Sequence, residues 1–143
     1  MALTMTDLVR RVTEMLRADL TVTVEEYYRI DPPPTTQTVY VTQGDQPPEE
    51  SLGIGNTWAD TVRCTVIAEV PWDDRVATAR ALNATVEIIK ALPQAHRDLY
   101  DTDGVTLLGT RGCLQGIRWP FVERLGSHGM VLAAIVIIEY RSA

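Results

Sequence analysis

The chain contains two histidines, His96 and His128, and any metal centre or imidazole proton shuttle would have to start from them. They are far apart in sequence, and neither has a ligating partner at helical i, i+4 spacing, so no metal site is expected. Ser127 precedes His128, but adjacent residues seldom align as nucleophile and base, and no GxSxG elbow is present. Asp101-Thr102-Asp103-Gly104 opens like a calcium loop. Its glycine arrives two positions too early, though, and Gly112 stands where the bidentate glutamate belongs, so a turn explains it better. Gly53-Ile54-Gly55 matches part of a dinucleotide fingerprint but precedes a strand instead of opening a helix. The acid pairs Glu25-Glu26 and Glu49-Glu50 read as solvated charge, because neighbours on a strand point to opposite faces, and Asp73-Asp74 reads as a helix start. No catalytic, cofactor-binding or metal-ligating residue is assigned, and the expectation is a non-enzymatic protein that needs no cofactor.

One constellation reads differently. Arg118-Trp119-Pro120-Phe121 follows a glycine-rich stretch and combines an arginine with two aromatics, the composition of an interface hot spot. The competing reading is a corner of the core. Tyr40 and Val41, in the middle of a proline-rich region, are the residues that could anchor that region on a surface. Tyr40, Val41, Arg118, Trp119 and Phe121 are therefore the expected contact residues.

The strongest architectural signal is the ending. Met130 to Ile138 is an unbroken run of nine apolar residues. A strand with one wet face alternates apolar and polar, whereas a continuous β-branched run asks for cover on both faces. A chain of 143 residues rarely supplies both covers, which points to a partner, most simply a second copy. The run is far short of the roughly 20 residues that span a bilayer as a helix, so no membrane segment is expected. The opening Met1 to Asp7 lacks a basic cluster followed by an apolar core, so no secretory signal is expected either.

At this length, with 45% hydrophobic and 22% charged residues, the composition is that of one ordinary globular domain with a real core. Thirteen basic against 19 acidic residues give a formal charge of -6, which disfavours nucleic-acid binding because phosphate backbones are repelled at long range. Cys64 and Cys113 sit in apolar strand-like contexts without CxxC spacing and are expected as buried, reduced thiols.

Thr4 can cap a first helix, with Asp7 in capping-box position, Leu3 stapling Leu8, and Leu8, Val12, Met15 and Leu16 as its buried stripe. A strand over Leu20 to Ile30 follows. The segment 31–56 carries Pro32-Pro33-Pro34, Pro47-Pro48 and three glycines around one short strand, Thr38 to Thr42, and reads as a long projecting arm or hairpin. Thr57 to Val70 alternates as a strand that Pro71 ends. Asp73 or Asp74 caps a second helix to about Leu92, closed by Pro93. A strand from Val105 to Trp119 is broken by Gly109, Gly112 and Gly116, which implies bulges. The last strand follows across Pro120 to Ser127. The expected fold is α/β (α+β): a single domain over residues 1–143, with a mixed sheet, both helices on one face, and the second face without cover from this chain.

This arrangement resembles the tail terminator proteins of long-tailed bacteriophages. The likeness spans the opening helix to Arg17, the strand from Leu20, the extended region to Asn56, the Trp58 to Val70 strand leading into the Asp74 to Leu92 helix, and the two closing strands. It rests on length, element order and the apolar last strand. The resemblance implies a hexameric ring that caps the tail tube, stops its growth and presents a surface to a head-side connector protein. It also implies a place in the virion, reached after assembly in the host cytoplasm. A neck or head-closure protein of the same particle is the nearest alternative. A small enzyme or ligand-binding domain with a site between subunits, near His96, Tyr100 and Asp101, is the alternative of a different class.

Overall fold

The computed structural model describes residues 3–28, 35–43, 61–124 and 130–143, and within the last turns of the penultimate strand it places Pro120, Phe121, Glu123 and Arg124 by their backbone alone. The described residues form a mixed six-stranded sheet with two helices packed on one face, as the apolar patterning predicts.

Helix α1, Met5–Asp19, begins at the expected cap. The Thr4 hydroxyl accepts from the Asp7 amide at 3.1 Å and donates to the Asp7 carboxylate at 2.8 Å, a cap of a kind that contributes about 1 kcal/mol. Leu8, Val12, Met15 and Leu16 are buried as their spacing dictates, and Val9 and Thr13 widen the stripe. The strand expected over Leu20 to Ile30 is shorter. Leu20 is spent as the helix C-cap, its amide donating to Leu16 O, and Tyr27 adopts φ 66, so β1 is only Thr23–Glu26. Ile30 lies outside the described residues.

Strand β2, Thr38–Gln43, lies inside the sheet, parallel to β1 and antiparallel to β3, Thr61–Pro71. This corrects the arm: its middle is an integral strand, and only 31–34 and 44–56 of it lie outside the described residues. In β3 the alternation behaves as written, with Cys64, Val66, Ala68 and Val70 turned to the helices. Trp58 lies outside the described residues.

Helix α2, Arg75–Ala95, starts at Asp74, whose carboxylate accepts from the Ala77 amide at 3.0 Å. Pro93 does not close it. The ring sits in the last turn, where it removes one intrahelical bond, to Ile89 O, and tertiary bonds carry the helix past it. His96 N donates to Leu92 O at 2.9 Å, and the buried Tyr140 hydroxyl donates to His96 O at 2.5 Å. Burial raises the Tyr140 pKa, so the phenol stays protonated and available as that donor.

Two short residues of β4, Leu99–Tyr100, come before β5, Leu107–Arg124, and β6, Met130–Ser142. The sheet order is β1-β2-β3-β6-β5-β4. Strands β3 and β5 therefore do not pair; the last strand is inserted between them, antiparallel to both. β5 also continues through Pro120 instead of stopping there. Its register against β6 shifts three times, at Thr110/Cys113, Leu114/Gly116 and Arg118/Phe121. The first two shifts contain Gly112 and reach Gly116, as the glycine spacing predicts, and the third contains Pro120, so the missing amide falls where no ladder bond is made.

Gly112 shows why a glycine is needed at one of these bulges. A Cβ there would stand 2.6 Å from the Tyr140 ring and 2.9 Å from Pro93 O, a rigid side chain and a backbone atom. Gly116 has only Ile137 Cδ1 at 4.0 Å. Gly112→Ala is expected to cost about 1–3 kcal/mol by overpacking the Tyr140–α2 junction, and Gly116→Ala to change stability by about 0.5 kcal/mol or less. Thermal melts of the two variants check this; equal melting temperatures would contradict it.

Candidate functional site

The even-numbered residues of β6, from Leu132 to Tyr140, face the helices and are buried among them. The odd-numbered residues face the other way, where the curled sheet forms a trough of about 780 Å³. Ile67 of β3 and Ile135 and Ile137 of β6 make its floor. Tyr28 and Thr42 stand on one wall, and Gln115, Ile117 and Arg118 of β5 on the other. The apolar floor is thus the second face of the strand whose unbroken run singled it out in the sequence.

One end of the trough is polar. Glu139 accepts from Arg63 Nε at 2.9 Å through one oxygen and from Gln115 Nε2 at 2.5 Å through the other. Cys113 Sγ lies 3.6 Å from the same carboxylate. Both cysteines are free thiols, but only Cys64 is fully buried; Cys113 is half-buried at the rim. Burial pushes the Cys64 thiol up to about 12, which leaves it an inert core residue. Beyond the trough floor, the fully buried Glu69 carboxylate accepts from the Tyr28 hydroxyl at 3.0 Å, and Tyr28 packs edge-on against Tyr40 with ring centroids 5.1 Å apart.

The expected contact residues separate. Val41 is buried in the core beneath α1, and Tyr40 is buried against Tyr28, so neither offers a surface to a neighbour; a β2 strand flanked on both sides explains why. Arg118 is exposed on the trough wall. Trp119 is 38% exposed, with Lys90 Nζ 5.9 Å from its ring centre. Phe121 is placed by its backbone opposite Ala133; its side chain lies outside what the structure describes. His128, Ser127, Gly53-Ile54-Gly55 and Glu49-Glu50 also lie outside it. Among the described residues, no group of three or more His, Cys, Asp or Glu side chains is arranged to hold a metal ion. No described helix is long and apolar enough to cross a membrane.

Asp101-Thr102-Asp103-Gly104 is a turn that displays apolar residues. Asp103 accepts from the Val105 and Thr106 amides at 2.8 and 2.9 Å and from the Thr106 hydroxyl at 2.6 Å, and Gly104 takes φ 73. The loop is clamped to α1. Arg10 donates to Asp101 at 3.0 Å, Arg11 Nε donates to Tyr100 O at 2.7 Å, and Thr102 donates to Glu14 at 2.8 Å. Val105 stands at the tip, 80% exposed, beside the exposed Tyr100 and Leu107, a rigid apolar knuckle that sequence patterning missed. Of the group His96, Tyr100 and Asp101, the Asp101 carboxylate is engaged by Arg10 and by the Thr102 amide, and the His96 carbonyl by Tyr140.

No protein-family model matches this chain, and a search of curated proteins finds no significant match.

The hydrogen bonds from Thr106 and Val105 hold the Asp103 carboxyl down at about 2, and those from Thr102 and Arg10 also lower Asp101. A depressed folded-state pKa adds stability that is fully present above the unfolded value of about 3.9 and disappears as pH falls through the folded value. Denaturant melts should therefore lose stability between about pH 4 and pH 2, and Asp103→Asn should show a shallower acid limb. An identical limb in the variant would contradict the assignment.

Proposed function

We propose that this protein is a non-enzymatic structural component of a bacteriophage tail, of the tail terminator type. Copies join into a closed hexameric ring that caps the tail tube, stops its growth and meets the head-side connector. The observation that carries this reading is the outer edge of β5. From Cys113 to Arg124 this strand pairs with β6 on one side only, because β4 reaches no farther than Gly109. Among the described residues, no strand covers the other side. A long, unpaired edge is a template for another chain, and soluble proteins blunt such edges unless a partner closes them. This one is interrupted by three register shifts and Pro120 and carries the exposed Arg111 and Arg118, yet it also displays the exposed Trp119 and Val122.

Two further features support the reading. The trough floor of Ile67, Ile135 and Ile137 is an apolar surface beside that edge, and apolar surface rimmed by polar groups marks interaction sites. A net charge of -6 suits a ring through which DNA passes without adhering. The trough also favours a second reading, a ligand-binding domain, since its volume and apolar lining suit a small molecule. A ligand-dependent rise in melting temperature, with no self-association, would select that reading.

Purified protein added to growing tail tubes should bind one end and fix their length, with no binding to isolated portal; binding on the portal side alone would favour a neck protein. Trp119→Ala should weaken assembly by about 2 kcal/mol, roughly thirtyfold, while the protomer melts within a few degrees of wild type. A folded variant that assembles like wild type would remove Trp119 from the interface.

A further inference from the structure

The two edges of the sheet are treated differently. On the β1 side, the Tyr27 amide donates inward to Val41 O on β2 at 2.7 Å. Backbone groups of successive strand residues point alternately to either side, so the carbonyls of Val24 and Glu26 face outward, along the side of β1 that no described strand pairs with. The Val24 carbonyl is occupied. Arg17, exposed in the last turn of α1, donates its Nε to Val24 O at 3.0 Å. β5 has no comparable side-chain bond among its described residues.

The edges are also complementary in charge. β1 ends in the exposed Glu25-Glu26, and β5 carries the exposed Arg111 and Arg118. Two complementary open edges on one molecule add copies head to tail, and head-to-tail addition that fails to close runs on into fibres. The occupant that β1 most needs to refuse is therefore the β5 edge of a second copy.

We infer that Arg17 is an edge guard. By holding the Val24 carbonyl it denies β1 to an incoming β5 strand, and it leaves the sheet with one adhesive edge instead of two. The role concerns self-association and stands apart from the tail-terminator reading.

The test uses the full chain and light scattering over a concentration series. Arg17→Met keeps the apolar stem and helix propensity but has no donor. Arg17→Gln places an amide nitrogen the same number of bonds from Cα as Nε and removes the charge and the two terminal nitrogens, neither of which makes the bond to Val24 O. Arg17→Met is expected to give a mass that climbs with concentration past the wild-type value, and Arg17→Gln to hold the wild-type mass. Gln115→Pro, at a bulge residue that has no register partner on β6, should abolish the added growth when combined with Arg17→Met. Arg17→Ala is a second donorless variant, so a folding defect seen by circular dichroism in one does not decide the result. Folded donorless variants that keep the wild-type mass would overturn the inference. So would growth of Arg17→Gln equal to that of Arg17→Met, and growth that persists with Gln115→Pro would exclude β5 as the incoming strand. The wild-type mass, whether ring or monomer, is the baseline, so a failure of the ring reading and a failure of the guard are separate outcomes.

Discussion

Everything else in this structure is arranged around a strand that is apolar on both faces. β6 sits between β3 and β5, and its even residues complete the core under both helices while its odd residues surface in the trough. Burying one face of such a strand leaves the other as an apolar surface that water penalises in proportion to its area. The chain relieves part of that cost at Val131 and Ala133, which are buried, and leaves Ile135 and Ile137 half-buried in the trough floor. That unequal cover is the physical reason to look for a partner.

The same strand shapes the sheet's edges. Inserting β6 between β3 and β5 pushes β5 outward, and β4 is too short to cover it beyond Gly109. The bulges at Gly112, Gly116 and Pro120 bend β5 along the side that no described strand covers. At the opposite end, a helix-borne arginine engages the backbone of β1. With β1 engaged in this way, head-to-tail growth through the β1 and β5 edges is opposed, and a larger closed assembly has to pair β5 with a different surface of its neighbour.

Much of this was legible because local chemistry and tertiary demand agree. The Thr4–Asp7 cap, the Asp74 cap, the alternation of β3 and the glycine bulges of β5 all read correctly from residue type and spacing. Where sequence reading failed, a non-local interaction had outvoted a local rule. Pro93 did not end α2, because Tyr140, far along the chain, holds the His96 carbonyl. Pro120 did not end β5, because a register shift absorbs its missing amide. Tyr40 and Val41 read as anchors of a projecting arm on a surface, yet pairing on both sides makes β2 internal. The β1 edge bond could not be foreseen, since it depends on the angle at which the chain leaves α1. The trough was half legible: the unbroken run in β6 announced a second apolar face, but not the Arg63–Glu139–Gln115 end that closes it.

The central claim is that the open face and edge of this sheet are closed by other copies of the same chain. The measurement that tests it most directly is the solution mass of the wild-type protein by light scattering across a concentration series, at low and moderate salt. The account predicts a defined closed oligomer, a hexamer, whose mass reaches a plateau as concentration rises. A monomer at every concentration and salt would contradict it.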